Sequence, residues 1–243
     1  AIRFYNESGL NTFGSTMTRT IAYITDIHLD EAYLADIGVN ARDNWKHILA
    51  DVQARGIRSI IFGGDIGEAT SNAWFFDSLK DYNLQLTLGN HDTFTEARKH
   101  FDKAEWKDKA EGYYSLEDDH FKYLFLDSSS NAISVTQRLW LEEEMATNKA
   151  LLLFIHHPIF PVNTPVDKAY PLQGREQLQL LLQQQKTPTT LFCGHYHMQD
   201  EQHHRTIHQY ITPAASYQIV KEAAELQADN TWFGYRLIHL DTG

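Results

Sequence analysis

From residue 20 onward the chain alternates short apolar runs, rich in β-branched residues, with stretches whose apolar positions recur every three to four residues. The first group reads as strand 20–25, helix 43–55, strand 59–62, helix 73–82 and strand 84–88, a βαβαβ succession. Such a succession implies parallel strands joined by right-handed crossovers, with helices covering the sheet. A second group follows: a hairpin from 113–116 and 121–126, helix 136–146, strand 150–155, helix 175–184 and strand 190–193. The last third turns mostly β, and 205–211, 217–221 and 232–240, with their aromatic and β-branched residues, are predicted to be antiparallel strands. The inventory predicts an α/β (α+β) fold with two mixed sheets packed together. Residues 1–18, punctuated by Asn6, Gly9, Asn11 and Gly14 and without a period, read as a loose N-terminal arm before a single domain at 19–243.

Composition narrows the function. With 243 residues, 42% of them hydrophobic, the chain can bury a core of its own. Its net charge of -11 argues against stable nucleic-acid binding through phosphate contacts. The single cysteine, Cys193, excludes an intrachain disulfide and a cysteine-built zinc site, and it reads as a small buried hydrophobe in a cytoplasmic protein. The apolar run 150–155 is too short to span a bilayer, and the polar start lacks the apolar core of a signal peptide, so no membrane partner is expected. Thirteen histidines against one cysteine direct attention to metals that accept mixed nitrogen and oxygen ligands, namely Mn, Fe or Zn.

The polar clusters fall just after the apolar strands, where open α/β sheets place their binding loops. In order they are Asp26-Ile27-His28, Gly63-Gly64-Asp65, Gly89-Asn90-His91-Asp92, His156-His157-Pro158 and Gly194-His195-Tyr196-His197. Two divalent ions held about 3.5–4 Å apart need roughly seven converging ligands, and the clusters supply that number. In extended chain Asp26 and His28 would share a face, as would His195 and His197. The two oxygens of Asp65 could bridge both ions, and Asn90 offers a neutral amide oxygen. His91 would point elsewhere, toward substrate. Gly63, Gly64 and Gly89 are expected to free the turns before the ligands.

These five ordered blocks resemble those of the calcineurin-like metallophosphoesterases, D-x-H, G-D, G-N-H-[D/E], H and G-H-x-H, over Asp26 to His197. The resemblance implies a four-layer αββα sandwich and a dinuclear Mn, Fe or Zn centre. It implies one ion on Asp26, His28, Asp65 and His197, the other on Asp65, Asn90, His156 and His195, and His91 as the catalytic histidine. Asp92 is expected to orient or polarise a neighbouring imidazole, the alternative being the cap of a helix starting near Thr93. His157 is divided between packing and support of a ligand. His203, His204 and His208 read as a solvated sheet face, Trp74-Phe75-Phe76 as core, and Asp30, Glu31 and Glu68 as ordinary solvated carboxylates.

Within the family the look is nearest to the small cyclic-nucleotide and glycerophosphodiester phosphodiesterases. The expectation is therefore hydrolysis of a small soluble phosphodiester by in-line attack of a metal-bridging hydroxide, with protonated His91 serving the phosphoryl oxygens or the leaving oxygen. Two divalent ions, less two aspartates and a hydroxide, leave about one positive charge, which matches a monoanionic diester. A phosphomonoesterase with the same ligands is the alternative, and a non-catalytic binding scaffold a third reading.

Overall fold

The computed structural model describes residues 18–241. The chain runs β1 (Thr18–Ile24), α1 (Ala32–Asp36), α2 (Ala41–Ala54), β2 (Ser59–Phe62), α3 (Asn72–Ser78), β3 (Asn83–Leu86), α4 (Phe94–Ala97), β4 (Tyr114–Glu117) and β5 (Phe121–Phe125). It continues through α5 (Val135–Glu144), β6 (Ala150–Phe154), α6 (Pro165–Ala169), α7 (Arg175–Gln183), β7 (Thr189–Cys193), β8 (Asp200–His204) and β9 (Ile207–Ile211). Two short pairing strands, β10 (Gln218–Ile219) and β11 (Ala228–Asp229), and β12 (Arg236–Asp241) complete it.

Two mixed sheets result, one in the order β12-β1-β2-β3 and one in the order β4-β5-β6-β7-β9-β8. Strands β1 to β3 run parallel, as do β5, β6, β7 and β9. The edges β12, β4 and β8 are antiparallel to their neighbours. Strands buried on both faces read as continuous apolar runs, which is why Ile21 to Ile24 and Leu151 to Phe154 show no alternation.

The sheets meet through aromatic side chains. Tyr114, Phe125, Phe154, Phe192 and Tyr210 stack in one row across five adjacent strands, with ring centroids 4.5, 5.0, 5.3 and 5.6 Å apart. Tyr23 of β1 packs against Phe154 and Phe192 from the opposite sheet, and its hydroxyl donates to the Phe192 carbonyl at 3.2 Å. On the outer face of the first sheet, α2 buries Trp45, Ile48 and Val52, one helical stripe, and α3 buries Phe75 against Trp45 and Phe62. On the outer face of the second, Leu141 of α5 and Leu178 and Leu182 of α7 pack with Leu124, Leu153 and Leu191. The layers are helix, sheet, sheet, helix, as expected.

Several elements differ from expectation. The predicted strand 205–211 is one arm of a hairpin whose other arm, β8, carries the polar sequence Asp-Glu-Gln-His-His and has no apolar alternation to betray it. Strand β9 is inserted between β7 and β8 and runs parallel to β7, not antiparallel. Segment 217–221 forms only a two-residue strand, and 232–240 begins as a strand at Arg236. The helix expected near Thr93 is α4, whereas α1 and α6 lie outside the expected elements, because five residues are too few to display a period. The N-terminal arm lies outside the described residues, except Thr18, which opens β1. No helix among the described residues is long and apolar enough to cross a membrane.

Candidate metal centre

Every block lies where a parallel strand ends. Strands β1, β2, β3, β6 and β7 stop at Ile24, Phe62, Leu86, Phe154 and Cys193, and the polar residues follow within two to four positions. Asp26 and His28 do come together, with His28 Nε2 3.9 Å from Asp26 Oδ1, whereas His195 and His197 part into different donor groups, and extended backbone explains neither pair. Asp26, His28, Asp65, His195 and His197 hold φ of 57, 52, 61, 68 and 48°, in the left-handed region that residues other than glycine rarely enter. Such strain persists where the surroundings over-determine the backbone. Here the Asp26 amide donates to the Gly64 carbonyl at 2.9 Å, those of Ile27 and His28 to the Asp65 carbonyl at 3.1 Å, and that of Leu29 to the Ile66 carbonyl at 2.7 Å.

Gly89 has a different purpose from the turn expected of it: a Cβ there would land on Oδ1 of Asp65. At Gly194 it would land on Oδ2 of Asp26 and Oγ1 of Thr25. Both glycines make room for carboxylates.

Two donor groups form. Asp26, His28 and His197 present one ligand atom each within 4.8 Å of one another, and so do Asp65, His156 and His195. Asp65 joins them, since its Oδ2 lies 3.1 Å from His156 Nε2 and 3.6 Å from His28 Nε2. Asn90 borders the same cavity as His28, Asp65, His195 and His197, and its Oδ1 is buried without a hydrogen-bond partner. All seven candidate ligands are therefore brought together.

The far nitrogen of each imidazole is engaged. Nδ1 of His156 donates to the Gly63 carbonyl, Nδ1 of His197 to that of Tyr217 and Nε2 of His195 to that of Tyr170, each at 2.9 Å. Nδ1 of His28 lies 3.1 Å from both oxygens of Glu31. A carbonyl only accepts, so these bonds fix which nitrogen carries the proton and leave the other lone pair facing inward. Nε2 of His28 and Nε2 of His197 consequently face each other at 3.0 Å, an arrangement that demands a proton or a metal ion between them. An orphaned buried acceptor, paired carboxylates and inward lone pairs fit a pair of borderline or hard metal ions.

The electrostatics agree. Burial opposes the charge of Asp26 and Asp65, yet the imidazoles of His197 and His156 beside Asp26, and that of His156 beside Asp65, outweigh it and hold both carboxyls below the usual range. Burial likewise opposes a proton on His156, but Asp65 and Asp26 raise its pKa to about 10. His195, desolvated and facing His156, is pushed down to about 4. Two buried carboxylates thus draw cationic charge into the site.

Around the ligands, expectation and structure diverge. Glu31 is no solvated carboxylate: it is largely buried between His28 and His91, with its Oε1 2.8 Å from Nδ1 of His91. Burial raises the Glu31 pKa, but the bonds to the two imidazoles lower it to about 2. The bond to Glu31 in turn raises His91 to about 9. Asp92 neither contacts an imidazole nor caps α4, whose N-terminal cap is the Thr93 hydroxyl. Its carboxylate accepts the amides of Asp65 and Ile66 at 2.8 Å and of Gly89 at 2.9 Å, tying two ligand loops together. His157 is buried on Ser128 and packs its ring 4.1 Å from that of His195, so it backs that candidate ligand. Asp30 pairs with Arg42 and Ser71. Cys193 is buried and burial raises its thiol pKa, as a packing role requires.

The profile of the calcineurin-like phosphoesterases matches residues 19–199. A probable cyclic nucleotide phosphodiesterase of a Pseudoalteromonas species is 29% identical over 241 residues, with 91% of this chain and 87% of its own covered. A 3′,5′-cyclic-nucleotide phosphodiesterase of a Nostoc species is 21% identical over 248 residues, with 91% and 87% covered. Among solved structures, a dimetal phosphatase from Danio rerio aligns with a TM-score of 0.63 at 12% identity, over 90% of this chain and 98% of that one. A purple acid phosphatase from yellow lupin seeds aligns with a TM-score of 0.70 at 14% identity, over 93% and 50%. At those identities the structural likeness speaks for the fold alone, whereas the profile spans every ligand block, and the chain belongs to the calcineurin-like phosphoesterase family.

Proposed function

We propose that the protein is a metal-dependent phosphodiesterase acting on a small soluble diester, with a cyclic nucleotide as the preferred class. The observation that carries the metal-dependent reading is the pair of inward-facing imidazole nitrogens, 3.0 Å apart, beside two buried aspartates. In this reading Asp26, His28, Asp65 and His197 hold one ion and Asp65, Asn90, His156 and His195 the other. The ions, when bound, supply Lewis acidity at the phosphoryl oxygens and acidify water.

The chain's own residues do the rest. His91 is held by Glu31 through Nδ1, which leaves Nε2 to donate to a phosphoryl oxygen or to the leaving oxygen. Asp92 is a positioning residue, holding the loops of Asp65 and Asn90 in register. Beside the ligands lies a cavity of about 440 Å³ walled by Tyr33, Tyr170 and Tyr217. The Tyr33 and Tyr217 rings meet edge to face at 5.7 Å. Aromatic walls offer stacking to a nucleobase, and about one residual positive charge at the metal pair favours a monoanionic diester over a dianionic monoester. The names of the Pseudoalteromonas and Nostoc relatives support the same substrate class.

The test is hydrolysis of bis-p-nitrophenyl phosphate, p-nitrophenyl phosphate and 3′,5′-cyclic AMP by chelator-stripped protein reloaded with Mn(II). The expected result is metal-dependent cleavage of both diesters, with the nucleotide stopping at the monophosphate. Preference for the monoester would make the protein a phosphomonoesterase instead, and inactivity on all three with metal bound would make it a binding scaffold.

A further inference from the structure

Away from the carboxyl edges, the structure assembles another group of ligating side chains. The β8–β9 hairpin closes through Arg205 and Thr206, and its register sets His203 directly opposite His208 and Glu201 opposite Tyr210. Side chains of opposed and next-but-one residues share a face, so Glu201, His203, His208 and Tyr210 stand together. That is the face bearing the aromatic row, of which Tyr210 is the last member. Strand β8 is the edge of its sheet, and there Glu201 and His203 are exposed.

The side chains of the group lie within reach of one another. The rings of His203 and His208 lie 3.7 Å apart at 36°, and Nε2 of His208 lies 3.2 Å from Oε2 of Glu201. One donor atom from each of the three residues falls within 4.8 Å of the other two. The ring of Tyr210 lies 3.9 Å from that of His208, and the Arg236 guanidinium lies over Tyr210, so the His208 ring is backed from the sheet side. Two imidazoles and one carboxylate on rigid paired strands supply three protein ligands and leave a fourth position to water, a donor set suited to Zn²⁺.

We propose that Glu201, His203 and His208 form a further zinc site, separate from the dinuclear centre, which clips the exposed edge strand to its neighbour. A bound ion draws Glu201 and His203 of β8 onto His208 of β9 and so holds the edge strand in register on its neighbour.

The experiment is metal analysis of the full chain after equilibration with Zn²⁺ and removal of loose metal, for wild type and for the His203→Ala/His208→Ala variant. The wild type should retain one zinc per chain more than the variant, whatever number the dinuclear centre holds. Metal-dependent phosphoesterase activity should be the same in both, which separates this site from the proposed function. Equal zinc content would overturn the proposal. Should the double variant not fold, Glu201→Gln and His203→Asn carry the same comparison singly, each expected to weaken the extra zinc at least tenfold, and an unchanged affinity in both would overturn it.

Discussion

In the proposed centre the two halves depend on Asp65, since its Oδ2 faces His28 on one side and His156 on the other while its Oδ1 accepts the His91 amide at 2.9 Å. Asp65→Asn should therefore lower the bound metal to one ion per chain or fewer, read by metal analysis, and abolish turnover with it. His91→Ala should separate binding from chemistry: metal content stays, and turnover falls by roughly 10²–10⁴-fold, the usual share of a positioned acid or base. Glu31→Gln should weaken metal affinity by about 10–100-fold, because Glu31 orients the candidate ligand His28. The convergence of the candidate ligands was legible, since each follows an apolar strand within a few residues. Glu31 was not, because the left-handed turns at His28 and Asp30 bring it back over the site, and no strand or helix period encodes such turns. Asp92 was expected beside an imidazole or at a helix cap and is at neither, because its three amide bonds join loops far apart in the chain and leave no local pattern.

At the scale of elements, the site rests on turns that allow no extra atoms and on strands locked by aromatic stacking. Gly89→Ala would press a methyl group onto the Asp65 carboxylate, so the variant should fold but take up metal poorly, a loss visible in metal analysis. Phe154 sits in the middle of the stacked row between Phe125 and Phe192, and it is fully buried. Phe154→Ala should cost about 3–5 kcal/mol of stability, measured by denaturant unfolding. Long amphipathic helices such as α2, α5 and α7 and the apolar strands β1, β2, β6 and β7 were evident from their periods. Strand β8 was hidden because an edge strand needs no buried face, and helices α1 and α6 were hidden because packing and caps, such as the Thr164 hydroxyl at the start of α6, define them more than composition does.

The whole molecule is organised so that two sheets, packed through Tyr23 and the aromatic row, direct their strand ends to one edge. Two packed sheets could be inferred from the number of strands, but the order β4-β5-β6-β7-β9-β8 could not, because β9 enters between β7 and an edge strand with no apolar signal. Burying two carboxylates beside inward lone pairs ties the stability of the fold to cations. Removing metal with a chelator should lower Tm and readdition should raise it with metal concentration, the unfolding free energy gaining about 2.7 kcal/mol per site when free metal is a hundred times its Kd. The central claim is the dinuclear centre, and anomalous diffraction from crystals of the Mn-loaded protein tests it most directly. The account predicts two peaks about 3.5–4 Å apart, with Asp65 touching both, Asp26, His28 and His197 around one, and Asn90, His156 and His195 around the other. A single peak, or peaks that leave Asp65 uncoordinated, would contradict it.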